Sequence, residues 1–217
     1  MVQEVQAREV RIEAAGALLE GSLSIPHHAC SIVIFSHGSG SSRHSPRNRQ
    51  VALHLQQAGM GTLLLDLLTP EEDEDYDNRF NIPLLTSRLV AATRWLQHLP
   101  EAAGCHLSYF GASTGAASAL GAAAQLSGQI SAVVSRGGRP DMAMDMLPRV
   151  QAPTLLIVGS YDTTVLQLNG QALQALHCPK KLAIIDGATH LFEEPGKLHE
   201  VALLATAWFQ QYCTPLS

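Results

Sequence analysis

The sequence contains no apolar run long enough to span a bilayer, so no membrane-spanning helix is expected. It carries no basic excess either: 14 Lys and Arg stand against 19 Asp and Glu, a formal net charge of −5. A face that tracks nucleic acid or an anionic membrane is therefore not expected. The opening residues hold Glu4 and Glu9 in place of an apolar signal core, which points to a cytoplasmic location. Cys30, Cys105, Cys178 and Cys213 are scattered, with no Cys-x-x-Cys pair and no disulfide-rich spacing. They read as reduced, mostly buried thiols. Repeats, low-complexity tracts and linker-like stretches are also missing, so residues 1–217 are expected to form one domain. What remains is ordinary globular chemistry, with 46% hydrophobic and 15% charged residues.

Two short alternating runs, around residues 10–12 and 18–25, flank Ala15-Gly16 and predict an antiparallel pair. Ser31-Ile32-Val33-Ile34-Phe35 is a continuous β-branched and aromatic run, the pattern of a strand buried on both faces. A helix is expected over 47–57, a strand over 62–67, and a helix over 84–98 stopped by Pro100. Strand 106–110 leads into a glycine-bounded turn, and helix 116–126 leaves it. Strands at 130–135, 154–159 and 181–185 then alternate with helices at 165–176 and 197–211. An antiparallel opening followed by strand–helix alternation predicts an α/β fold: a mostly parallel sheet with helices on both faces. The longest irregular stretch is expected from Thr69 to Pro83.

In such sheets, sites form at the carboxyl ends of the strands. Gly111-Ala112-Ser113-Thr114-Gly115 falls at one of them. A nucleophile presented above the sheet needs a tight strand-to-helix turn, and that turn needs glycine two residues before and two after. Alone, the pattern recurs by chance and a turn of small residues is its bland reading. A serine hydroxyl also needs an adjacent base, and the base an orienting acid. Asp162 follows strand 154–159 and His190 follows the last strand, in the order serine, acid, histidine. Asp162 has a competing role as a helix N-cap, because a helix begins near Thr164. His190 is one of 10 histidines and could be a plain loop residue. Asp186 is a rival acid, better placed to brace the histidine loop. The three residues in order favour the triad.

His37-Gly38-Ser39-Gly40-Ser41-Ser42 follows the strand ending at Phe35. Acyl transfer needs two donors aimed at the oxygen that becomes negative. The amides of Thr114 and Ser39 are the candidates. A dinucleotide-binding turn is the rival reading for this loop, but Arg43 stands where the third glycine belongs.

Together, Ser36-His37-Gly38-Ser39-Gly40, Gly111-Ala112-Ser113-Thr114-Gly115, Ile157-Val158-Gly159 leading to Asp162, and Gly187-Ala188-Thr189-His190 carry a resemblance. Over nearly its whole length the chain resembles the dienelactone hydrolase family of α/β-hydrolases. Ser135-Arg136-Gly137-Gly138-Arg139-Pro140-Asp141 and Asp66-Leu67-Leu68-Thr69 are similar to hydrolase units fused to bacterial phosphoribosyltransferases. The resemblance implies an α/β-hydrolase fold and hydrolysis of carboxylic esters or lactones through Ser113, His190 and Asp162. It also implies a phosphoribosyltransferase-type partner. Founding members carry cysteine where this chain has Ser113, so thiolate-style activation does not transfer.

No cofactor or metal is required by this chemistry, and a monomer or homodimer would serve it. In the short stretch 137–150, Pro140 and Pro148 bracket a single helical turn or two, which leaves no room for a lid domain and favours small substrates. Arg136 and Arg139 sit at the active-site edge, where either would grip a substrate carboxylate. Salt bridges to Asp141 or Asp145 are the competing and favoured reading. The run Glu71-Glu72-Asp73-Glu74-Asp75-Tyr76-Asp77 reads as a solvated, mobile loop rather than a metal site, shading the pocket mouth with Arg79 and Phe80 anchoring its far end. Beside ester, thioester or lactone hydrolysis stand two alternatives. One is acyl transfer or perhydrolysis on the same triad; the other is a non-catalytic partner domain that keeps the fold.

Overall fold

The computed structural model describes residues 7–213. Strands β1 (Arg8–Ala14) and β2 (Ala17–Ser24) pair antiparallel around the Ala15-Gly16 turn. Then come β3 (Ser31–Ser36), helix α1 (Pro46–Gln57), β4 (Gly61–Leu65), the short α2 (Pro70–Asp73) and α3 (Ile82–Gln97). The second half contains β5 (His106–Ala112), α4 (Thr114–Gln125), β6 (Ile130–Arg136), β7 (Thr154–Gly159), α5 (Thr163–Ala175), β8 (Lys180–Ile185) and α6 (Lys197–Tyr212). One sheet takes all eight strands in the order β1-β2-β4-β3-β5-β6-β7-β8. β2 meets β4 antiparallel, and every pairing from β4 to β8 is parallel.

The parallel strands β3, β4 and β7 are buried throughout, which explains their unbroken apolar sequences. Side chains alternate between two cores. Val33, Phe35, Phe110 and Val134 pack with α1 and α6 through Val51, Leu55, Val201 and Phe209. Ile34, Tyr109 and Val133 pack on the other face with α3 and α4 through Leu89, Leu120 and Ala123. The Phe35 and Phe110 ring centres lie 4.9 Å apart with the rings tilted, each contributing about 2–3 kcal/mol by burial. Alanine and glycine dominate α4, so its backbone lies close to the sheet with its residues buried from Thr114 to Ala124. No helix among the described residues is long and apolar enough to cross a membrane.

Three sequence expectations need correction. The stretch from Thr69 to Pro83 is not irregular. Thr69 and Glu72 form a reciprocal capping box that starts α2, and residues Tyr76–Phe80 form a 3-10 turn. The acidic run within it is held by cations, since Arg79 grips Asp73 and the buried Arg88 pairs with Glu72. Nor are the thiols mostly buried: Cys178 and Cys213 are, whereas Cys105 is half-buried and Cys30 exposed. The segment after β6 is a kinked 3-10 helix, Pro140–Arg149, longer than the turn or two expected.

Candidate active site

Ser113 is the single residue between β5 and α4, with φ 51° and ψ −123°. A non-glycine residue in that region costs of order 1–3 kcal/mol and persists only where neighbours over-determine it. They do. The Ser113 amide donates to the Arg136 carbonyl at 3.1 Å, and the Arg139 amide donates to the Ser113 carbonyl at 3.0 Å. The stretch leaving β6 is thus a strap across both polar groups of the nucleophile's backbone. Gly115 is required by packing, because a Cβ there would lie 2.2 Å from the Ser36 carbonyl oxygen.

The acid and base are stitched together before they meet the serine. The Tyr161 amide donates to the Ala188 carbonyl at 3.0 Å, and the Gly187 amide to Ser160 Oγ at 2.8 Å. Ser160 Oγ in turn donates to Asp186 at 3.3 Å, so Asp186 braces the loop. Thr189 donates through its amide and hydroxyl to Glu194, closing the other side. Asp162 occupies the N-cap position of α5 but makes no capping bond with its side chain. Its Oδ2 instead accepts from His190 Nδ1 at 2.5 Å. That fixes the tautomer, leaving the Nε2 lone pair 3.4 Å from Ser113 Oγ. Serine–histidine contacts are often this long before substrate binds.

The loop after β3 is locked by a histidine whose role the sequence did not reveal. The Leu67 amide donates to His37 Nε2 at 3.1 Å, so Nδ1 carries the proton and donates to the Gly38 carbonyl at 2.9 Å. The Gly38 carbonyl and Ser39 amide share one peptide plane, so holding the first aims the second. Burial pushes the His37 imidazole below its ordinary value, against the opposing pull of Asp66 and Asp73. The folded protein therefore prefers neutral His37. Its contribution to stability is present above the unfolded value of about 6.5 and is lost as pH falls below it. The melting-temperature advantage of wild type over His37→Ala is expected to be full at pH 7.5 and narrower at pH 5. A gap unchanged across that range would contradict the assignment.

Gly38 packs directly on the nucleophile: a Cβ there would sit 2.9 Å from Ser113 Cβ. Arg43, the residue that breaks the dinucleotide pattern, anchors the loop's far end to Asp66 and Glu20. A cavity of about 430 Å³ opens beside this loop, lined by His37, Ser42, Arg43, Asp66, Thr69 and others. The Ser39 amide does not stand free. It donates to Thr114 Oγ1 at 2.8 Å.

The two arginines part company. Arg139 forms a two-pronged ion pair with Asp141, at 2.9 and 2.8 Å. Arg136 is 6% exposed, lies with its guanidinium 5.8 Å from the Phe192 ring centre, and leaves Nε and Nη1 buried with no partner among the described residues. Burial first, and the neighbouring Arg47 second, lower its pKa to about 10.

The model of the dienelactone hydrolase family matches residues 19–212. The chain belongs to the dienelactone hydrolase family. A crystal structure of a dienelactone hydrolase from Anabaena variabilis is 54% identical, with TM-score 0.95 over 98% of this chain and 100% of that one. Est1E from Butyrivibrio proteoclasticus shares the fold at 16% identity, with TM-score 0.81 over 94% of this chain and 98% of its own. A Mycobacterium tuberculosis protein with a provisional phosphoribosyl transferase name is 53% identical over 208 residues, 95% of this chain. The match takes in 47% of that protein, so the chain spans about half the length of the curated relatives it matches. The fold shared with the Anabaena variabilis dienelactone hydrolase and with Est1E thus surrounds the Ser113 turn.

Proposed function

We propose that this dienelactone hydrolase family member is a serine hydrolase of small carboxylic esters, thioesters or lactones, acting through an acyl-enzyme on Ser113. The observation that carries the reading is the unbroken line from carboxylate to imidazole to hydroxyl, 2.5 Å and then 3.4 Å long. Ser113 Oγ bonds to the acyl carbon while its proton passes to His190 Nε2 and the carbonyl electron pair moves onto oxygen. The negative oxygen is met by the Thr114 amide, whose place in the first turn of α4 leaves it without an intrahelical partner. The tetrahedral centre collapses, the bond to the leaving alcohol or thiol breaks, and His190 returns the proton to it. Water then repeats the sequence on the acyl-enzyme and releases the acid. The imidazolium formed at each stage is steadied by Asp162. The segment Pro140–Arg149 after β6 is ten residues long, too small for a lid domain, which supports small substrates. A panel of p-nitrophenyl esters, thioesters and lactones, assayed against Ser113→Ala as the blank, tests the proposal; no serine-dependent turnover on any class sinks it.

Arg136 extends the proposal to substrate choice. Arg139 is spent on Asp141, whereas among the described residues the buried Arg136 has two unpartnered donor atoms and no carboxylate paired with it. A guanidinium in that state favours an anionic group on the substrate. Arg136→Met is expected to raise KM about tenfold or more for esters carrying a free carboxylate, and to leave neutral esters little changed. Equal effects on both would remove the contact. A phosphoribosyltransferase-type unit as partner is supported by the names and greater length of the tuberculosis relatives. Co-purification with such a unit is the corresponding test.

A further inference from the structure

We propose that the Thr114 hydroxyl, rather than the Ser39 amide, is the second donor to the oxyanion, and that the Ser39 amide acts through it. The inference rests on the acyl-enzyme reading above. Two backbone amides are the usual pair in such a site, but here the Ser39 N–H already ends on Thr114 Oγ1, 2.8 Å away. An N–H directed at one oxygen has little left for another.

Moving the threonine aside does not free the amide cheaply. Thr114 is 3% exposed, in the first turn of α4, and its β-branched side chain is stiff about χ1. Rotation would break a buried hydrogen bond and bring other parts of the side chain, the methyl among them, into the place of the hydroxyl. The nearby loop has no slack, because Gly38 already lies against Ser113 Cβ.

The hydroxyl, in contrast, is equipped to donate. Because Oγ1 accepts from Ser39, its own hydrogen is available, and no hydrogen bond donated by it is found among the described residues. The Thr114 amide belongs to the same residue, so both its donors can converge on one oxygen beside Ser113. The chain Ser39 N–H to Thr114 O–H to oxyanion is cooperative, since each bond polarises the next. A hydroxyl bonded to an oxyanion is also shorter and stronger than a neutral pair. No proton changes owner; the relay passes polarisation alone.

The test compares Thr114→Val with Thr114→Ser. Rates are expressed per active site titrated with a fluorophosphonate, so that misfolded protein is not counted. Valine keeps the shape and removes the donor, and is expected to lower kcat by about 10²-fold or more with little change in KM. Affinity for a trifluoromethyl ketone, whose adduct carries the oxyanion, should fall by a similar factor. Thr114→Ser should recover most of both losses. A Thr114→Val enzyme as fast as wild type, or faster, would overturn the relay and make the hydroxyl a plug over the Ser39 amide. Ser113→Ala, run alongside and expressed per mole of protein shown folded by circular dichroism, separates the two ideas: if it retains wild-type turnover, the hydrolase reading itself fails and the relay with it.

Discussion

Ser113→Ala is expected to reduce kcat by about 10⁶-fold, and His190→Ala by a similar factor, because the hydroxyl and imidazole act as a unit. Combining the two substitutions should add almost nothing. Once the nucleophile is gone, a base 3.4 Å from an absent hydroxyl has no proton to take. The residual rate should stay above the uncatalysed reaction, since the oxyanion donors and the binding surface survive both changes. Steady-state assays on a p-nitrophenyl ester, with circular dichroism to check folding, measure each term. Multiplicative losses in the double variant would mean that the two side chains work independently.

Asp162→Asn is expected to cost about 10⁴-fold in kcat while leaving the fold intact. An amide can donate to His190 Nδ1, and that turns the imidazole to the tautomer carrying its proton on Nε2, facing Ser113. The serine then has no acceptor. The stitching between the Ser160–Tyr161 turn and the Gly187–Ala188 turn does not pass through the Asp162 carboxylate, so the loops should stay in place. A loss of only a few-fold would make Asp162 a cap of α5 rather than the partner of the base.

The order of strands and helices was legible because the parallel strands are buried on both faces and leave unbroken apolar runs such as Ser31–Phe35. Ser113, Asp162 and His190 were legible for a related reason: each sits just beyond the carboxyl end of its own strand. The acidic run was misread because its neutralising partners are remote. Arg79 suggested itself as an anchor of the run's far end, but its pairing with Asp73, six residues earlier, and that of Arg88 with Glu72, sixteen earlier, were not visible beside the local like-charge repulsion. Ser39 was identified as a donor from its glycine-rich setting. That its amide ends on Thr114 depends on a contact between residues 75 positions apart, which no local pattern encodes. His37 was hidden likewise, since its two ring nitrogens are assigned by Leu67 and Gly38 together. Among the arginines, the near neighbour Asp141 in the sequence foretold the pairing of Arg139, whereas the lack of a partner for Arg136 emerges only from packing.

The most direct measurement is peptide mapping by mass spectrometry after brief exposure to a fluorophosphonate. A single adduct on Ser113 is expected, formed rapidly in the wild type and nearly eliminated in His190→Ala, where the hydroxyl has lost its base. An unmodified Ser113 peptide, or equally fast labelling without His190, would contradict it.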